Sequence, residues 1–218
     1  LVNIIEKQYK EKLLSAMGLN TSFVRQYIPT ITRMPDSKEL IEEQYDILYG
    51  EFPTFNEDGY NQIALVVDEY NGISDITLAL LGYLRIELPE EVTKTDDVKF
   101  EDRKDFTIEE IVGKEVYLAS NSVMYKKYGD NFYFNAPQKS DCEKLKIVGV
   151  IRQKENVNGV LSTGFAYTSA LTRKVLKDNA DSEIAAAARE NGTVTVKSPI
   201  GNVESETFTA RTLAGVNT

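Results

Sequence analysis

Gln62-Ile63-Ala64-Leu65-Val66-Val67-Asp68 reads as a β-strand buried on both faces, because its apolar residues run without alternation between polar ends. A turn at Asn71-Gly72 follows, then Ser74 as N-cap of an apolar helix over Ile76 to Tyr83, with Gly82 near its end. Upstream, Asp36 with Glu39 three residues on has the form of a capping box. It opens a predicted helix whose inner stripe is Leu40, Ile41, Gln44, Tyr45 and Leu48, closed by Gly50. Helix, buried strand, turn and helix at this spacing predict an α+β fold.

The remaining chain extends that pattern in both directions. An amphipathic helix is expected over Asn3 to Met17, stopped by Gly18, and an extended stretch from Phe23 to Pro35. Glu87 to Lys104 is polar, without apolar period, and reads as a linker or surface excursion. Thr107 and Glu110 form another capping box around Ile108, Ile111 and Val112, before a strand over Lys114 to Ala119. Tyr125 to Phe134 reads as a hairpin around Gly129-Asp130-Asn131. Leu145 to Arg152 reads as a long strand in which Gly149 marks a bulge or bend. Helices are expected over Ser169 to Lys177 and from Asp181 to Asn191-Gly192, then a strand over Thr193 to Lys197, with a weakly patterned tail beyond Pro199.

Composition narrows the chemistry. The 218 residues carry 25 Lys plus Arg against 34 Asp plus Glu, a formal charge of −9, so phosphate backbones are repelled and no nucleic-acid partner is expected. There is no histidine and a single cysteine, Cys142. Nucleophile systems built on His, closed Cys/His zinc sites and an internal disulfide are thereby excluded. No Ser is followed three residues later by Lys, and Cys142 lies between Asp141 and Glu143, which disfavours its thiolate. No apolar run approaches the ~18 residues of a membrane span. The chain opens on Leu1 without a Met or a leader, and is expected to be a piece of something longer.

Two surfaces stand out. Pro35 to Asp58 is strongly acidic, and Glu39, Glu42, Glu43 and Asp46 are candidate residues for a cationic partner, against the plainer reading of a solvated helix face. Tyr125 and Tyr128 in the predicted hairpin are the second candidate, Tyr being both an interface residue and an ordinary sheet-rim residue. Thr54 to Gly59 resembles the start of a calcium loop but has Leu65 where the bidentate Glu should stand, and Asp68 to Gly72 misses the spacing too; a turn explains both. No catalytic, cofactor or metal residue is assigned.

Several stretches together resemble the extracellular domain of FtsX-like ABC transporter permeases of the MacB type, common in Gram-positive bacteria. They are Gln44 to Pro53, Asn61 to Asp68, Ile73 to Leu78, Ile111 to Val116, Lys146 to Arg152 (Lys-Ile-Val-Gly-Val-Ile-Arg) and Gly164 to Thr172 (Gly-Phe-Ala-Tyr-Thr-Ser-Ala-Leu-Thr), in the family's order. The resemblance implies a two-lobed MacB-like periplasmic core: a βαβ-type lobe from 1–83 plus 165–218, and an inserted strand-rich lobe over 84–164. It also implies a non-enzymatic module without cofactor, on the extracellular face of the cell membrane, coupling ATP-driven helix motion to export or to an outside partner. The partners it implies are a cytoplasmic ATPase subunit acting through the parent permease, a second permease copy, and an extracellular protein or peptide substrate. Alternatives are a carboxylate-based extracellular glycosidase and an activator domain for a cell-wall hydrolase.

Overall fold

The computed structural model of the protein describes residues 31–87, 99–135, 137–197 and 206–209. These divide into two compact units, one drawn from Leu1–Val116 with Lys144–Ser169, the other from Tyr117–Glu143 with Ala170–Thr218. The expected division, 1–83 with 165–218 around an insertion over 84–164, draws its boundaries elsewhere. The class is α+β, as read from the sequence.

The first unit is built on a mixed sheet. Its strands are β1 (Ile31–Arg33), β2 (Tyr45–Gly50), β3 (Gln62–Val67), β6 (Glu115–Leu118), β9 (Glu143–Gln153) and β10 (Gly164–Tyr167), of which Tyr117, Leu118 and Glu143 are counted in the second unit. The order is β1-β10-β3-β9-β2, with β6 also pairing β9. Strand β3 is buried from Ile63 to Val67, as its continuous apolar run demands. It lies antiparallel to β10 and parallel to β9, with Val67 opposite Arg152. The register of β3 with β9 slips between Ile63 and Ala64, so that Gly149 rather than Val148 opposes Ala64; this is the expected irregularity at Gly149. A Cβ on Gly149 would stand 2.1 Å from the Glu51 carbonyl oxygen, so only glycine fits.

Helix α1 (Lys38–Gln44) is shorter than expected and starts one residue later. Ser37, not Asp36, is the N-cap, its Oγ accepting from the Leu40 N–H at 3.2 Å. The helix stops at Gln44, and Tyr45 to Gly50 is strand β2, antiparallel to β9 with Tyr45 opposite Gln153 and Ile47 opposite Ile151. The expected helical stripe through Tyr45 and Leu48 is therefore corrected. Tyr45 is buried under either geometry, and sheet pairing along β9 supplies backbone partners that a prolonged helix would not. On that face Met34, Ile41, Tyr45, Ala64, Val66, Ile151, Leu161 and Ala166 form one apolar cluster.

Helix α2 (Asp75–Leu80) is capped by Ser74, as read, and α3 (Ile108–Ile111) buries Ile111. The polar stretch read as a linker holds a strand: β5 (Lys99–Glu101) pairs antiparallel with β4 (Arg85–Glu87). The helix expected over Asn3 to Met17 lies outside the described residues.

In the second unit, α4 (Asn121–Met124) leads into the hairpin of β7 (Tyr125–Tyr128) and β8 (Asn131–Phe134), turning at Gly129 with φ +60°. Strand β11 (Thr193–Lys197) runs parallel to β8 and antiparallel to β12 (Glu206–Thr209), a strand within the tail read as weakly patterned. Helices α5 (Ser169–Ala180) and α6 (Glu183–Asn191) precede them. Ile184 and Ala188 of α6 pack on Phe132 and Val196 to make this unit's core.

Candidate functional site

The acidic segment presents Glu39, Glu42 and Glu43 on exposed positions of α1, while Ile41 turns inward. Glu39's carboxyl is held below its ordinary pKa by a hydrogen bond from backbone N–H and by the Ser37 hydroxyl, which donates to Oε2 at 3.0 Å. Lys38 pairs with Glu42 at 3.1 Å. Lys154 donates to the Glu42 carbonyl oxygen at 2.6 Å and stands 3.9 Å from Asp46 Oδ1. Such exposed pairs are worth no more than about 1 kcal/mol each. Asp46 belongs to strand β2 and is exposed there, beside the helix that carries the three glutamates.

Tyr125 and Tyr128 do not form one surface. Three residues apart on a strand, they point to opposite faces. Tyr125 packs against the core of the second unit, edge-on to Phe134 with ring centroids 6.5 Å apart, and burial pushes its phenol pKa up. Tyr128 is 66% exposed and meets Tyr133 edge-on at 5.9 Å. The acidic residues and the tyrosines fall in different units.

A more exposed aromatic stands on the turn after β3. Asp68 Oδ1 accepts from the N–H groups of Tyr70 at 2.9 Å and Gly72 at 2.5 Å. Asn71 takes φ +63°, and Arg152 donates to its Oδ1 at 3.1 Å. The turn is thus fixed from both sides, with Tyr70 84% exposed at its tip. The Glu69 carboxylate, by hydrogen bond and by charge, raises the Tyr70 pKa. The stretch from Asp68 to Gly72, which misses the spacing of a calcium loop, uses Asp68 Oδ1 to close its own turn. The same holds for Asn56, whose Oδ1 accepts from Gly59 N–H at 3.1 Å.

The neighbouring loop, after β9, is strapped to the start of β2. The Tyr45 hydroxyl accepts from Leu161 N–H at 2.7 Å and donates to the Leu161 carbonyl at 3.3 Å. Gln44 Oε1 accepts from Val160 N–H at 3.2 Å. A Cβ at Gly159 would come within 2.3 Å of the Tyr45 hydroxyl, so the strap has no room for a side chain there.

A small cleft in the second unit is lined by Ser120, Leu171, Val175 and the ion-paired Glu143, Lys174 and Asp178. Among the described residues no group of three or more Asp, Glu or Cys side chains is placed to hold a metal ion. Among the same residues no helix is long and apolar enough to cross a membrane. No family model, curated protein or solved structure matches the chain.

Proposed function

We propose that the chain is the extracellular domain of an FtsX-like ABC transporter permease, a non-catalytic module that passes motion of the parent's membrane helices to a substrate or partner outside the cell. One observation carries the reading. Four of the six stretches that bear the resemblance, Asn61 to Asp68, Lys146 to Arg152, Gly164 to Thr172 and Gln44 to Pro53, contribute β3, β9, β10 and β2, neighbouring strands of one sheet, while Ile73 to Leu78 falls largely in α2. Motifs more than 80 residues apart, such as Leu65 and Val150, are direct register partners.

In this reading the ATPase is a separate cytoplasmic subunit, consistent with a sequence that has no Gly-x-x-x-x-Gly-Lys-Ser/Thr loop. The two units, each drawn from two separate stretches of chain, supply the parts that a mechanical module moves. The parent gene is expected to encode apolar segments of about 20 residues on both sides of this stretch. Its full-length product is expected to sediment with membranes and to co-purify with an ATPase. Recovery of that product from the soluble fraction, alone, would overturn the reading.

A further inference from the structure

Among the described residues, the sheet of the second unit is covered on one face only. Ile184 and Ala188 of α6 pack there on Phe132 and Val196, with Tyr125 against the same cluster. Alternation along the strands sends Lys126 and Tyr128 of β7, Tyr133 of β8 and Thr195 of β11 to the opposite face. Lys126, Tyr128 and Thr195 are exposed on it, and Tyr133 is half-buried. Ring contact and register join these residues into one surface. Tyr128 meets Tyr133 edge-on at 5.9 Å, and Tyr133 has Lys126 as its register partner in β7 and Lys197 as its partner in β11. One row across three neighbouring strands therefore places a lysine on each side of a tyrosine. The Lys126 ammonium donates to the Ser122 carbonyl at 2.7 Å, which uses one of its three donors.

The sign of this surface is opposite to that of the chain. The whole sequence carries a net charge of −9, yet β7, β8 and β11 contain no Asp or Glu. Asp130, in the turn beyond Tyr128, is the carboxylate that stands beside the face. Three strands about 4.8 Å apart and some four residues long make a face roughly 10 Å by 15 Å. A partner whose negative charge is confined to that area meets the lysines at contact distance, while carboxylates more than about 8 Å away are screened. A long polyanion runs past the face onto acidic surface and is repelled. Tyrosines held on a sheet also lose little freedom when a peptide covers them, which suits a protein contact.

We infer that the open face of β7, β8 and β11 is a docking surface for a short acidic protein segment, in which Asp or Glu alternates with apolar side chains. The carboxylates of the segment meet Lys126 and Lys197, and its apolar side chains lie on Tyr128 and Tyr133. The inference concerns the second unit alone and holds with or without the permease reading.

The probe is a short synthetic peptide of alternating Glu and Val, titrated into the whole chain. Peptides with Gln or Lys in place of Glu, and dextran sulfate at equal charge, are the controls. The Glu/Val peptide is expected to bind more tightly than all three. Tyr128→Ser should weaken it about tenfold, and Lys126→Gln with Lys197→Gln by a similar factor. Asp130→Asn should bind at least as tightly as the parent. Removing equal charge from the first unit, Lys38→Gln with Lys144→Gln, should leave the affinity unchanged. Circular dichroism checks that each variant is folded, and Tyr128, at an exposed position, supplies a test that does not depend on the lysines. The inference fails if the Gln peptide binds as well as the Glu peptide, if Tyr128→Ser binds as the parent does, or if the Lys38/Lys144 variant loses as much as the Lys126/Lys197 variant. Tighter binding of dextran sulfate would assign the face to an anionic polymer instead, and a dimer of the chain that the Lys126/Lys197 variant dissolves would assign it to a second copy; either result overturns the inference.

Discussion

Tyr45 ties three levels of the first unit together. Its ring fills the cluster under α1, its backbone starts β2, and its hydroxyl closes the loop after β9 by bonding both polar groups of the Leu161 backbone. Burial raises its phenol pKa, and the hydrogen bond to Leu161 partly opposes that. Deleting the hydroxyl leaves a buried N–H without its partner, which costs roughly 1–3 kcal/mol. Tyr45→Phe should therefore lower the urea midpoint with the m-value unchanged, while Tyr70→Phe, on an exposed turn, should leave it in place. The importance of Tyr45 is only half legible in the sequence. Its apolar spacing after Ile41 shows that it is buried, but nothing local shows that its hydroxyl meets a residue 116 positions away. The charges of Glu42 and Asp46 have the same character: their count is local, whereas the Lys154 that answers them arrives through strand pairing.

At the scale of elements, the strands that could be read were those whose composition has one interpretation. Strand β3 and the core of β9 are continuous β-branched and aliphatic runs, too short for a helix and bounded by polar residues. Strand β2 was not readable, because Ile41, Tyr45 and Leu48 satisfy helical spacing while Tyr45 and Ile47 satisfy strand alternation. Pairing with β9 resolves that ambiguity, and sequence periodicity cannot see the pairing. Strands β5 and β12 sit in polar stretches whose partners alone make them strands. Glycines sort in the same way. Gly129 adopts φ +60° in open space, whereas Gly149 meets the Glu51 backbone. Gly129→Ala should cost roughly 1 kcal/mol of left-handed strain. Gly149→Ala must push strands apart and should cost several times more, near the upper range of about 4–5 kcal/mol for single substitutions, or prevent folding. Thermal or urea unfolding of the pair checks the ranking; equal losses would remove the bulge from its place in the account.

For the molecule as a whole, the fold class follows from the order of its elements, but the division into units does not. Strand β9 enters the sheet beside β3 after 75 intervening residues, and α5 carries the chain away again after β10. The polar stretch from Glu87 to Lys104 inside that crossing marks neither break, because the units divide within β6 and at the start of β9, where composition does not change. The function proposed for the chain rests on distant segments converging on a single sheet, and its sharpest consequence is the side of a membrane on which that sheet lies. Ser162 is exposed, and Cys142 is the one thiol of these 218 residues. In the full-length parent protein, Ser162→Cys combined with Cys142→Ser, and with replacement of any cysteine outside this stretch, offers a single reporter thiol. Treatment of intact cells with a membrane-impermeant maleimide should label it as fully as treatment after lysis. Labelling that appears only once the cells are broken would contradict an extracellular domain.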